Sequence, residues 1–278
     1  MSKSKTKDYD NEVFILAIVF WRNQMKYLKI EKHGERFDLI LNRSNKFNAL
    51  NRPLLEELFS TFNELEKDKQ CRLVVLRSAT DKAFCSGVDL DQLLSFKSIE
   101  EARSFALMFD ETMIRLLKFP KPIIAAIDGL AFGGGFALAS AADLRIITEN
   151  GKIAFPAGRL GAVLPPALTF MLNALVGIGI SRDLLMTGRV VNADESFRLR
   201  LVNRLVNSSD IENSIDKEVH EILKSSDTAL QMTRRITNQQ LLVEIEKYNL
   251  TGAENFAFLA STEEWQKRVA SFFNKNKK

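Results

Sequence analysis

Residues 123–143 constrain this chain more than any other stretch. Ile123-Ile124-Ala125-Ala126-Ile127 leads through Asp128-Gly129-Leu130-Ala131-Phe132 to Gly133-Gly134-Gly135, and a run of small residues then continues to Ala142-Asp143. An apolar run after Lys121-Pro122 suits a strand buried on both faces. Glycines at its end fit a place where backbone comes close to something else, or where φ is positive. A helix starting at those glycines aims unpaired N–H groups and the positive end of its dipole at whatever lies above. Two readings follow: a site for an anion or for a carbonyl oxygen that becomes anionic, or a turn kept only for packing.

The length of 278 residues allows one large domain, or one domain with an appendage, and 46% hydrophobic residues can fill a sizeable core. The net charge of +4 comes largely from lysines at the two ends, so nothing indicates a nucleic-acid partner. Two cysteines, Cys71 and Cys85, make no disulfide framework, which points to a reducing, cytoplasmic compartment. His33 and His220 are not in a metal-ligand spacing, and no metal is expected. The apolar run from Val13 to Trp21 is too short to span a bilayer and lacks a cleavage site. Residues 1–25 read as an extension, either a partner-facing or self-covering segment or a stretch preceding a natural start at Met25.

The pattern becomes regular from Tyr27. Two alternating runs, Tyr27-Leu28-Lys29-Ile30-Glu31 and Phe37-Asp38-Leu39-Ile40-Leu41, flank His33-Gly34 as a hairpin. Asn51 caps a helix with Pro53 near its start and an apolar face of Leu54, Leu55, Leu58, Phe59, Phe62 and Leu65. Leu73-Val74-Val75-Leu76 reads as a buried strand. Ser98-Ile99-Glu100-Glu101 is a capping box for a helix to about Lys118. Similar caps stand at Asn192-Ala193-Asp194-Glu195 and at Ser261-Thr262-Glu263-Glu264, where the last helix opens. Strands alternate with helices to residue 150 and helices dominate after about 180. The expected organisation is an α/β core at 26–195 followed by a helical C-terminal region at 196–278.

The strand at 73–76 leads into Lys82-Ala83-Phe84-Cys85-Ser86-Gly87-Val88-Asp89-Leu90. In open α/β sheets ligands bind beyond the carboxyl ends of strands, and this loop and the glycine turn both follow strands at that edge. With the strands as neighbours, the N–H of Val88 and the N–H of Gly134 point at one atom and form an oxyanion hole.

These stretches together resemble the crotonase superfamily, also called the enoyl-CoA hydratase/isomerase family. The matching pieces are Leu41-Asn42-Arg43, Asn48-Ala49-Leu50, residues 82–90, Lys121-Pro122, Asp128-Gly129, Gly133-Gly134-Gly135, Ala142-Asp143, Leu160-Gly161, Thr187-Gly188-Arg189 and Leu201-Val202, in order from Tyr27 to Asn274. The resemblance implies a ββα spiral core with a helical C-terminal trimerisation region, assembled as a homotrimer or a dimer of trimers. It implies an acyl-CoA ligand, with coenzyme A entering as part of the substrate and no separately bound cofactor. The thioester carbonyl would lie between the N–H groups of Val88 and Gly134. Substrate contacts would come from Ala49, Ser86, Gly87, Asp89, Leu90 and Gly133, from Arg43 or Lys46 near the phosphates, and from Arg159.

Two proton carriers of the family are absent. Its hydratases place one glutamate two residues after the third glycine, which here is Ala137, and a second four residues before the glycine of the Leu-Gly pair, which here is Ala157. Alanine transfers no proton, so two-glutamate hydration and isomerisation through the second carboxylate are both excluded. Other candidates read as structural: Asp89 as a loop residue, Ser140 as packing, Asp128 as a turn residue, Arg159 as an ion-pair partner. Cys85 reads as a small buried filler. Arg200 stands where the family often has glycine. Two functions compete: an acyl-CoA lyase or isomerase driven mainly by its oxyanion hole, and a non-catalytic acyl-CoA binder or regulatory subunit.

Overall fold

The computed structural model describes residues 25–275, so the run at 13–21 lies outside the described residues. In chain order the strands are β1 (Leu28–His33), β2 (Arg36–Leu41), β3 (Leu73–Ser78), β4 (Ala83–Cys85), β5 (Ile123–Ile127), β6 (Leu130–Phe132), β7 (Leu144–Thr148), β8 (Lys152–Ala154), β9 (Val190–Asn192) and β10 (Arg204–Val206). The α-helices are α1 (Arg52–Lys67), α2 (Leu90–Leu94), α3 (Ile99–Lys118), α4 (Gly134–Ser140), α5 (Pro166–Thr187), α6 (Ala193–Arg198), α7 (Ile211–Leu223), α8 (Asp227–Ala260) and α9 (Glu263–Lys275).

Two sheets share the work. The larger has the order β1-β2-β3-β5-β7-β10, antiparallel only at the β1–β2 hairpin; the smaller has the order β4-β6-β8-β9. Each step of the chain lays one strand in the large sheet and a three-residue strand in the small one before turning into a helical segment. The steps are β3-β4 into α2 and α3, β5-β6 into α4, and β7-β8 into a 3-10 turn (Pro156–Leu160) and α5. This is a ββα spiral. The central strands β3 and β5 are fully enclosed along their apolar stretches, as a parallel sheet covered on both faces requires. Strands as short as β4, β6 and β8 carry no readable period, which is why the second sheet was not foreseen.

Three of the four expected caps form; at the last helix Thr262, not Ser261, accepts from the Trp265 N–H, and the Ser261 hydroxyl turns back to the Phe258 carbonyl. The Asn51 side chain accepts from the Leu54 N–H, Ser98 from Glu101 and Asn192 from Glu195, each satisfying an orphan amide of a first turn. On α1, Leu54, Leu55, Leu58, Phe62 and Leu65 are buried, but Phe59 is 39% exposed and lies off the core-facing stripe.

A long helix, α5, starts at Pro166, and after β9 and β10 the chain is helical from Ile211 onward. Among the described residues α5 is the one helix long and apolar enough to cross a membrane, yet it does not indicate a span. It breaks at Gly177, whose φ of 76° and ψ of 159° leave the helical region, and it buries Leu168, Met171, Leu172 and Leu184 within the fold. The long helix α8 lies along α3. Arg234 of α8, 5% exposed, pairs with Asp143 at 2.7 Å and donates to the carbonyls of Leu116, Phe119 and Ala141. One buried guanidinium thus ties the C-terminal region to the end of the glycine-turn helix. α9 folds back against α2 and the 3-10 turn.

Candidate functional site

β4 and β6 are parallel neighbours in the small sheet, so the segments that leave their ends run side by side. Gly87 has φ +102°, and a Cβ on it would lie 2.9 Å from the Phe132 carbonyl oxygen and 3.8 Å from the Gly134 nitrogen. Gly135 is equally constrained, since a Cβ there would sit 2.0 Å from the Cys85 carbonyl oxygen. These glycines are what allow the two loops to touch backbone to backbone.

The orientation of the amides follows from their neighbours. Leu50 donates to the Gly87 carbonyl at 2.7 Å and accepts from the Asp89 N–H at 2.8 Å, bracketing Val88 in a parallel bridge. That arrangement turns the Val88 N–H to the opposite side. Gly134 is the first residue of α4, where no helical carbonyl is available to its N–H. Neither amide finds an acceptor among the described residues. Both line a cavity of about 590 Å³.

Four lining side chains, Asn45, Lys46, Ser86 and Asp89, carry polar or charged chain ends, and all four come from the two loops joined at Leu50 and Val88. Lys46 pairs with Asp91 at 2.7 Å, and that hydrogen bond holds its ammonium above the ordinary lysine range. Asp89 pairs with Arg43 at 2.6 Å and accepts from the Asp91 N–H at 2.9 Å, capping α2. The remainder of the lining is apolar or backbone, and no other acid or base belongs to it. Cys85 is not available as a nucleophile: burial pushes its thiol up to about 12, and it donates to the Asn48 carbonyl at 3.0 Å.

The sequence-derived candidates divide. Val88, Gly133, Gly134 and Ala157 face the cavity, as do Lys46, Ala49, Ser86, Gly87, Asp89 and Leu90. Three do not. Arg43, expected near ligand phosphates, is 11% exposed at its side chain and is engaged by Asp89, by the Ala49 carbonyl at 2.8 Å and by the Tyr27 ring. Arg159, expected as a substrate contact and ion-pair partner, points away and donates to the Thr187 carbonyl at 3.1 Å, with no carboxylate paired to it among the described residues. Ala137 is fully enclosed within the core cluster and is not part of the cavity wall. Ser140 returns its hydroxyl to the Ala137 carbonyl, Asp128 accepts from the Thr148 hydroxyl, and neither His33 nor His220 reaches the cavity.

Sequence reasoning missed two groups. Asn48, fully buried, accepts from the Arg43 N–H and donates to the Ser78 hydroxyl and the Phe84 carbonyl, holding the first loop to β3 and β4. Its sequence signal was only its place in a short matching piece. The far wall, built from Phe105, Phe109, Phe256 and Trp265, joins α3 to the sequence-distant pair α8 and α9 and had no signal beyond ordinary helical periodicity.

A ββα spiral with two acceptor-free amides over one cavity defines a protein of the crotonase class. Residues 37–278 match the model of the family described as enoyl-CoA hydratase/isomerase, and the chain belongs to that family. It is 30% identical over 248 residues to the short-chain-enoyl-CoA hydratase of Clostridium acetobutylicum, covering 89% of this chain and 95% of that protein. The crotonyl-CoA hydratase of Syntrophomonas wolfei gives the same identity and coverage. Among solved structures, the enoyl-CoA hydratase from Bacillus halodurans superposes with a TM-score of 0.83 over 88% of this chain and 100% of that one at 21% identity, a likeness of fold. An enoyl-CoA hydratase/carnithine racemase from Magnetospirillum magneticum superposes at 0.75 over 91% and 94% of the two chains with 26% identity.

Proposed function

We propose that this chain binds an acyl-CoA thioester and grips its carbonyl oxygen between the N–H groups of Val88 and Gly134, without two-glutamate hydration. The observation that carries the reading is that pair of amides, unpaired within the protein and facing one cavity. Coenzyme A enters as part of the ligand, its pantetheine arm along the polar loops at residues 45–49 and 86–90. Two N–H donors polarise the carbonyl and favour an enolate; each such donor typically contributes on the order of 3 kcal/mol to a transition state. Ala137 and Ala157 leave no proton carrier at the family's positions, and Lys46 and Asp89 are held in ion pairs on the polar side. This favours a non-catalytic binder or regulatory subunit over a lyase or isomerase that depends on a side-chain acid or base. The exposed apolar residues Ile178, Met186, Ile236 and Phe258 on α5 and α8 support assembly into a homotrimer or a dimer of trimers.

The test is infrared difference spectroscopy on butanoyl-CoA labelled with carbon-13 at the thioester carbonyl. Binding is expected with the carbonyl band moved to lower frequency, the mark of a polarised bond. A bound ester with an unmoved band removes the oxyanion hole from the reading. A parallel screen with enoyl and malonyl thioesters separates the two variants, because turnover of either favours the enzyme.

A further inference from the structure

Leu50 is fully enclosed and meets both halves of the amide pair. Its main chain donates to the Gly87 carbonyl and accepts from the Asp89 N–H, the two bonds that turn the Val88 N–H away from the bridge. Its side chain runs to the other donor. Leu50 Cδ1 lies 3.1 Å from the point where a Cβ on Gly134 would stand, so the leucine fills the space that the glycine leaves open. Phe109 reaches the same point from α3 at 3.0 Å, but takes no part in the bridge to Val88. A strained piece of backbone delivers Leu50 to this place. Phe47 and Asn48 hold φ of 50° and 55°, a left-handed conformation that costs a non-glycine residue energy. Hydrogen bonds hold the turn. The Asn48 side chain donates to the Ser78 hydroxyl at 2.8 Å and to the Phe84 carbonyl at 3.0 Å, and its carbonyl accepts from the Cys85 thiol at 3.0 Å. Asn51, on the other side, caps α1. With both flanks fixed, Leu50 cannot move from Val88 without breaking these bonds.

We infer that Leu50 is the positioning residue of the oxyanion hole: its main chain orients the Val88 donor, and its side chain fixes the Gly134 donor in matching orientation, so that both point at one thioester oxygen. The inference rests on the oxyanion-hole reading above and adds the residue that couples the two donors. A hydrogen bond weakens steeply as its angle opens, and a side chain packed against backbone at interior density resists that opening. Shortening Leu50 leaves the bridge to Val88 in place, because that bridge is main-chain. It opens a void beside Gly134, and the Gly134 N–H gains room to tilt. One donor is then kept and the other slackened. A general loss of packing acts differently, since it lowers stability and leaves both amides where they are.

The experiment compares the full chain with Leu50→Ala, reading the infrared band of carbon-13-labelled butanoyl-CoA, its affinity by calorimetry, and folding by urea melts. In Leu50→Ala the displacement of the carbonyl band should shrink, and Kd should rise about fivefold, the net contribution of one hydrogen bond. Leu50→Met, of similar volume and flexible enough to fill the same space, should recover most of the displacement. Leu65→Ala is the packing control. Leu65 is 1% exposed on α1, outside both loops, and its truncation should lower stability while the band keeps the displacement of the unmodified chain. Full displacement in folded Leu50→Ala overturns the inference and leaves the oxyanion hole standing. Equal shrinkage in Leu65→Ala also overturns it, because any core loss would then act alike. A band that does not move in the unmodified chain removes the oxyanion hole and this inference together. If Leu50→Ala does not fold, Leu50→Val is measured in its place against the same displacement.

Discussion

Gly87 and Phe132 approach so closely that a Cβ on Gly87 would lie 2.9 Å from the Phe132 carbonyl oxygen, with Gly87 held at φ +102°. This contact sets the spacing between the two loops that carry the Val88 and Gly134 amides. Gly87→Ala therefore meets both a steric and a torsional penalty. The torsion alone costs roughly 1–3 kcal/mol, and the loops must part to relieve the clash. Acyl-CoA affinity should drop by about tenfold or more, since both N–H donors are then displaced. Calorimetry beside a urea melt checks this; unchanged affinity in a folded variant would show that the loop contact does not position the amides.

Ala137 and Ala157, proposed above to stand at the family's two glutamate positions, sit in different surroundings, one fully enclosed and the other on the cavity wall. Ala157→Glu should be tolerated and should introduce a base beside the bound ester. Proton–deuterium exchange at the α-carbon of butanoyl-CoA, followed by NMR, should become measurable. Ala137→Glu forces a carboxyl into a closed part of the core and should cost about 3 kcal/mol or more. Equal stability of the two variants in urea would contradict this ordering.

Asp110 supplies a pH dependence. It is 1% exposed on α3, and its carboxylate accepts from the Ala167 N–H at 3.1 Å in the first turn of α5. Burial raises its pKa from 3.8 to about 7, against the opposing effect of that one hydrogen bond. A carboxyl with a raised folded pKa favours the native state while protonated, so this contribution is complete below about pH 3.8 and is lost as pH rises through about 7. Asp110→Asn keeps an oxygen for the Ala167 amide and cannot ionise. Its stability relative to the unmodified chain should rise between about pH 4 and 7 and level off above that; parallel curves would refute the assignment.

Arg200 follows α6 with φ 63°, a left-handed conformation that costs a non-glycine residue energy. It is exposed and does not line the cavity. Arg200→Gly should raise stability by about 0.5–1 kcal/mol, with acyl-CoA affinity unchanged. A loss of stability in thermal melts would mean that the arginine side chain contributes more than its backbone strain removes.

Arg43 and Asp89 form a pair with side chains 11% and 7% exposed, and the same guanidinium donates to the Ala49 carbonyl. Arg43→Ala leaves the Asp89 carboxylate buried without its cation and should cost about 3–5 kcal/mol. Because Arg43 faces the loop rather than the cavity, the salt dependence of acyl-CoA binding should be unaltered. A flattened salt dependence in the variant would place Arg43 at the ligand phosphates after all.

Much of the scaffold was legible because it depends on local chemistry. Asn51, Ser98 and Asn192 cap the helices they precede, since a side-chain oxygen and an orphan amide are brought together by spacing alone. The apolar run 123–127 had to be an enclosed strand, and the glycines at 133–135 marked a close approach of backbone. The small sheet escaped notice because three residues are too few to show a period. Arg43 and Arg159 were misplaced because a sequence records a charge but not which carbonyl or carboxylate that charge meets.

By itself the sequence determined the order of strands and helices, the family to which the chain belongs, and the absence of glutamates at positions 137 and 157; all three rest on which residues stand at which spacing. Only the tertiary structure decided that Val88 and Gly134 face one cavity, that Ala157 lies on its wall while Ala137 does not, and that the far wall is a set of aromatic rings. Those facts depend on contacts between β4 and β6 and between α3 and the α8–α9 pair, elements separated by tens to more than a hundred residues. Such contacts are selected by the packing of whole surfaces rather than by any local pattern.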